Sequence, residues 1–190
     1  MSFASEFKTV DLIIASEAET RGVDAFALSL IKAERQLRKC FTHLVYQFIC
    51  FGPADVGALR NTLASNKRVY FEGIEKGFNA LYPVTIEALV GANYDRLRER
   101  LNQAISHRNK IFHGQLTDHF LSREELVEFV SDIRAWCETL ASQANESFGY
   151  DGLSRNSFQK SALPRLAQSL KVNMHSVADY ETFIRDNMQR

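Results

Sequence analysis

The sequence has few of the residues that organise secreted or membrane-spanning proteins. It contains three cysteines, Cys40, Cys50 and Cys137, which lie far apart and form no CxxC pair. An odd cysteine count without a secretory context is typical of a reducing cytosol, and we expect each cysteine to be a small core residue. Residues 1–6 lack a basic start followed by an apolar segment, so we expect no signal peptide. No stretch approaches the roughly 18 uncharged apolar residues of a membrane span, so we expect a cytoplasmic protein that makes no membrane contact.

Net charge is also missing, because 23 Lys and Arg residues balance 23 Asp and Glu residues. A neutral chain has no global attraction to nucleic acid, so such binding would need a local patch. The candidate residues lie on one predicted helix: Arg96, Arg98, Arg100, Arg108 and Lys110. The alternative interpretation is a solvated helix face, and it is favoured for Arg96, Arg98 and Arg100.

Familiar catalytic motifs are absent as well. The chain contains no HExxH, P-loop, GxSxG or Rossmann pattern, so metalloprotease, kinase, esterase and dehydrogenase functions have no support. We accordingly expect neither a metal ion nor a cofactor.

Strand signals are scarce, and helical periodicity takes their place. Apolar residues recur at spacings of three and four, there are only 3 prolines, and no convincing alternating segment occurs. We therefore predict an all-α fold, an up-and-down bundle of four main helices with short additional helices over residues 1–149. A more polar helical extension, residues 150–190, is expected to pack on this bundle because it is too short to bury a core alone. The predicted helices cover residues 7–17, 24–51, 54–64, 68–81, 84–90, 92–113, 122–148, 162–171 and 176–188.

Two charged residues interrupt apolar helical stripes. Arg108 falls close to the centre of the face formed by Leu97, Leu101 and Phe112, and Glu34 interrupts the stripe of the first long helix. A buried arginine costs several kcal/mol unless it is paired. Either Glu34 is its internal partner, or the face is a cleft or a dimer seam that receives a phosphate. The two are compatible, because a carboxylate can orient a guanidinium whose other donors face a ligand.

His113 follows Arg108 at the predicted end of the same helix. Metal-free RNA cleavage requires a proton to leave the 2′-hydroxyl, a proton to reach the 5′-oxygen, and stabilisation of charge on the phosphorane. Histidine can perform either proton transfer, arginine can stabilise the charge, and Asn109 could orient the histidine or the phosphate. Gly114 is expected to end the helix, which lets His113 turn back towards Arg108.

These residues resemble a known family motif. The run Arg108-Asn109-x3-His113, placed at the end of the third main helix and followed by a fourth, is similar to the R-x4-6-H motif of HEPN-domain proteins. The resemblance covers roughly residues 24–148. It implies a helical bundle, metal-independent endoribonuclease activity of the toxin or phage-defence type, RNA as substrate, a homodimer with a composite cleft, and an antitoxin or defence-complex partner. It also implies that Arg108, His113 and Asn109 are catalytic, with Glu34 and Lys110 supporting them.

The spacing of this motif is weak by itself. With 15 arginines and 5 histidines in 190 residues, any one spacing is expected about 0.4 times by chance. A second match, Arg38 to His43, lies within a helix without a terminator and is interpreted as a solvated face, in which Arg38 could pair with Glu34. Gln115 stands where one toxin subfamily often has a tyrosine, so regulation through that tyrosine is not expected. The alternative function is a catalytically silent interaction module or nucleotide-binding sensor, in which Arg108 pairs with Glu34 and His113 only caps a helix.

Overall fold

The computed structural model describes residues 3–66, 69–115, 121–153, 156–163 and 165–189, and all of their regular secondary structure is helical. The all-α prediction is confirmed. None of the described helices is long and apolar enough to cross a membrane. The α-helices are α1 (Phe3–Ile14), α2 (Arg21–Val45), α3 (Val56–Ser65), α4 (Phe71–Leu81), α5 (Ile86–Val90), α6 (Tyr94–Phe112), α7 (Arg123–Phe148), α8 (Leu166–Ser169) and α9 (Val177–Asn187).

The long helices α2, α6 and α7 form the centre of the molecule. The Gln36 side chain of α2 donates a hydrogen bond to the carbonyl of Cys137 on α7, 2.9 Å away, and the Phe26 and Phe129 rings lie 5.7 Å apart. The earlier residue of α2, Phe26, contacts the earlier residue of α7, and the later residue, Gln36, contacts the later one. Helices α2 and α7 are therefore parallel. The predicted up-and-down order, which would make the first and last main helices antiparallel, is wrong. The segment between α2 and α6 forms three short α-helices, α3 to α5, instead of one long helix. The long helices therefore do not alternate in direction as four consecutive members of a bundle would.

Helix α6 runs antiparallel to α7. Near its start Arg100 donates to Asp132 of α7 over 2.8 Å, and near its end the His107 ring lies 5.5 Å from that of Phe129. Helix α6 is therefore antiparallel to α2 as well, so its C-terminal half lies beside the N-terminal half of α2. This arrangement places the two interrupted apolar stripes opposite each other.

The predicted helix 24–51 begins earlier and ends earlier than expected. Helix α2 starts at Arg21 and ends at Val45, and the next residues form turns. Cys50 consequently lies outside the helix and is exposed, whereas Cys40 and Cys137 are buried as predicted. Burial raises the pKa of both buried thiols. Residue 68, where the sequence predicts the start of another helix, lies outside the described residues.

The segment from residue 150 onwards contributes to the main core. Tyr180 and Ile184 of α9 are fully buried, and the Tyr180 ring stacks on Phe41 of α2 at 6.3 Å. Helix α9 packs on α3 and α4, and the Met188 carbonyl lies directly against Gly73 of α4. The C-terminal segment is thus fastened to the same hydrophobic cluster as the long helices.

Candidate functional site

The end of α6 is fixed by a local cap. Gly114 has a φ of +63°, in the left-handed region that glycine adopts readily. Its N–H donates to the Ile111 carbonyl over 3.1 Å, and that of Gln115 donates to the Lys110 carbonyl over 2.8 Å. These two bonds are the Schellman pattern that ends helices. The prediction that Gly114 ends α6 is confirmed: the helix ends at Phe112, and His113 is its C-cap residue, with an exposed side chain.

Arg108 is paired with Glu34 across the α2–α6 contact. Its Nη2 lies 3.0 Å from Oε1 of Glu34 and its Nη1 lies 3.5 Å from Oε2, a two-pronged contact. The Arg108 side chain is 20% exposed and that of Glu34 31%. The pair therefore lies at the boundary of the core, where the guanidinium is oriented but still reaches solvent.

The fully buried part of the α6 stripe ends before Arg108. Leu97, Leu101 and Ala104 are buried, but Phe112, expected on the same buried face, is 61% exposed. The ion pair with Glu34 occupies the place where the stripe would otherwise meet α2. In the last turn of α6, Ile111 still packs against the core, whereas Asn109 and Phe112 face solvent.

A cleft of about 1080 Å³ opens beside the ion pair. Arg108, Asn109, His113 and Glu34 all line it, so four of the predicted site residues meet in one place. Lys110, predicted as a supporting residue, is not among the residues that line this cleft. Asn109 and His113 are both exposed, so their side chains are accessible to a ligand.

The cleft also takes in residues outside the predicted catalytic and supporting set. Arg98 lines the cleft and donates from Nε to Glu75 over 2.8 Å, while the Tyr94 hydroxyl donates to the other oxygen of Glu75 over 2.7 Å. Tyr70 stands at the rim and is 60% exposed. The sequence feature that could have indicated this contact is Glu75, which lies beside the buried apolar stripe of α4. A buried carboxylate requires a cationic partner, and Arg98 is that partner.

The arginines of α6 do not form one basic face. Arg96 and Arg100 both bind Asp132 of α7, and the Arg100 guanidinium lies 3.8 Å from the centre of the Phe129 ring. Of the described α6 arginines, only Arg98 and Arg108 line the cleft. The predicted basic patch is therefore divided between two sides of the helix.

The second spacing match does not lie on a solvated face. His43 is only 3% exposed, it stacks on the Tyr150 ring at 4.5 Å, and its Nδ1 donates to the Ser157 carbonyl over 3.1 Å. The expectation of a solvated histidine is wrong because the segment after residue 150 covers that side of α2. Arg38 lines the cleft and makes no ion pair with any described residue, so its possible pairing with Glu34 is replaced by the contact of Glu34 with Arg108.

Replacement of Arg108 by alanine is expected to cost only about 1 kcal/mol in free energy of unfolding. Glu34 is part-exposed, so water can solvate its carboxylate when the guanidinium is removed. Urea denaturation of the full chain measures the difference. A loss above about 3 kcal/mol, as for a broken buried ion pair, would show that Arg108 serves mainly to hold the fold.

Within the described ranges, no cluster of three or more His, Cys, Asp or Glu side chains is placed to hold a metal ion. Comparison with protein families, with curated proteins and with solved structures found no match to this chain.

Proposed function

We propose that this protein is a metal-independent endoribonuclease in which Arg108 binds the scissile phosphate and His113 transfers a proton. The observation that carries the proposal is that Arg108, Asn109 and His113 line one open cleft. The resemblance of these residues to the HEPN motif supports the same function. The resemblance also leads us to propose a cytoplasmic toxin or defence effector that acts as a homodimer and is controlled by an antitoxin or defence-complex partner.

The chemistry needs only the RNA, these side chains and water. The 2′-oxygen attacks the adjacent phosphorus while its proton leaves, and the bond from phosphorus to the 5′-oxygen breaks as that oxygen gains a proton. The products carry a 2′,3′-cyclic phosphate and a 5′-hydroxyl. His113 performs one of the two proton transfers as a general acid or base, and water carries the other proton.

Arg108 is suited to the phosphate because Glu34 fixes its orientation. A guanidinium has five N–H donors, and Glu34 accepts from the two terminal nitrogens. Further donors remain for phosphate oxygens, where negative charge grows in the transition state. Donors that are already oriented lose little entropy in this role, so they stabilise the transition state more than the ground state. Asn109, exposed beside Arg108, supplies an amide for the same phosphate.

The test is cleavage of a labelled single-stranded RNA by the full chain in EDTA, with the product ends mapped. We expect cleavage that leaves cyclic phosphates, and a loss of about 10²–10³-fold for Arg108→Ala. Arg185→Ala, an exposed arginine of α9 outside the cleft, is the matched control and is expected to cleave like the wild type. If the Arg108→Ala protein remains folded and cuts as fast as the wild type, the proposal is wrong. RNA binding without any cleavage would instead favour the silent interaction module.

A further inference from the structure

A second groove of about 540 Å³ adjoins the first cleft. Arg38 and Val69 line both, so the two are continuous along α2. The second groove is bordered by α2, by α3 and by the segment around residue 158. It therefore extends away from the Arg108 site towards the C-terminal part of the chain.

Cations line the groove. Arg38, Lys39 and Arg60 are among its lining residues, and none of the described residues that line it is acidic. Lys39 is held by a 2.8 Å hydrogen bond to the Leu153 carbonyl. Arg60 is exposed, and its guanidinium lies 5.1 Å from the centre of the Phe158 ring. The positive charges are complementary to the phosphates of a nucleic acid, and the arginine stacked on an aromatic ring offers a surface on which a base can stack.

The wall that carries Phe158 is fastened to the end of α2. The buried His43 donates to the Ser157 carbonyl over 3.1 Å. Gln47 donates to the Gln159 carbonyl over 3.0 Å and accepts from the Ser161 N–H over 2.8 Å. Because these bonds hold the residues on both sides of Phe158, the groove is formed before any ligand arrives. A preformed groove binds with a smaller entropic cost than a loop that must order.

We propose that this groove binds the single-stranded stretch of RNA next to the scissile phosphate, with phosphates at Arg38 and Arg60 and an unpaired base stacked at the Arg60–Phe158 pair. The inference rests on the proposed ribonuclease function and adds a substrate class to it. A paired base cannot stack on a protein side chain without leaving its helix, so the groove favours single-stranded over double-stranded RNA. It also gives the segment after residue 150 a role, since that segment supplies the stacking wall.

The test measures binding separately from cleavage. The full chain carrying His113→Ala is titrated in EDTA with a fluorescent single-stranded RNA of about 12 nucleotides. Adding Arg60→Gln or Phe158→Leu is expected to raise Kd about five- to tenfold, the effect of losing one stacked base. Arg60→Gln also lowers the slope of log Kd against log salt by about 0.7, whereas Phe158→Leu leaves it unchanged because it removes no charge. Arg185→Gln, outside the groove, is the matched control for lost charge and is expected to change Kd less than twofold.

The possible outcomes separate this inference from the proposed function. If the RNA does not bind, if Arg60→Gln leaves Kd unchanged, or if a duplex of the same sequence binds as tightly, the inference is overturned. Arg60 is exposed, so its replacement leaves the fold intact even if Phe158→Leu does not. A wild-type chain that binds RNA through Arg60 but never cuts it contradicts only the nuclease proposal. A chain that cuts RNA while its binding ignores Arg60 contradicts only the groove.

Discussion

Replacing His113 by alanine is expected to slow RNA cleavage by about 10²–10⁴-fold, the usual contribution of a general acid or base. His113 and Arg108 line the same cleft, and the His113 side chain is exposed. In the proposed mechanism, alanine at this position removes the proton transfer but leaves the phosphate contact of Arg108 intact. Single-turnover rates on a labelled single-stranded RNA in EDTA measure the loss directly, since product release does not enter them.

The matched control for this variant is His175→Ala. His175 is also exposed, but it precedes α9 and lies outside the cleft, so its replacement is expected to leave the rate unchanged. His113 acts in the helix cap through its backbone, so the His113→Ala protein is expected to unfold at the wild-type urea concentration. Equal rates for the wild type and His113→Ala would remove His113 from the mechanism. Equal losses in both histidine variants would point to a general effect on folding instead.

Helix ends were predictable from the sequence where a local cap sets them. Gly114 ends α6 through its positive φ, and Ser122 with Glu125 begins α7 through a capping box that the structure contains. The end of α2 was not predictable in the same way. Every residue from 40 to 48 is buried, so the apolar pattern continues after the helix has stopped at Val45. When all sides of a segment are buried, the spacing of its apolar residues no longer shows where the helix ends.

The candidate site shows the same division between local and long-range signals. The contact of Arg108 with Glu34 was predictable because each charge interrupts an apolar stripe and needs a partner. The burial of His43 was not, because the residues that cover it follow more than a hundred positions later. The groove beside Arg38 depends on the same distant segment. Sequence patterns identify a residue that needs a partner more readily than a surface that several segments build together.

Replacing Gly73 by alanine is expected to destabilise the protein by at least about 2 kcal/mol. A Cβ atom at this position would lie 2.1 Å from the Met188 carbonyl oxygen, much closer than van der Waals contact allows. The obstacle is backbone, so no side-chain rotation relieves it and α9 must move away from α4. That movement would loosen Tyr180 and Ile184, which are fully buried in the core. The free energy of unfolding in urea measures the effect.

Two further glycines make this prediction a graded one. At Gly77 the added Cβ would meet the Met188 side chain, with Sδ at 2.7 Å, and a flexible thioether can shift, so Gly77→Ala is expected to cost less than Gly73→Ala. At Gly57 in α3 nothing lies within 4 Å, so alanine is expected to add about 0.5–1 kcal/mol of stability through its higher helix propensity. The predicted order of stability is therefore Gly57→Ala, then Gly77→Ala, then Gly73→Ala. If Gly73→Ala is as stable as Gly57→Ala, α9 does not pack on α4 as described, and the C-terminal segment is free of the core that supports the groove.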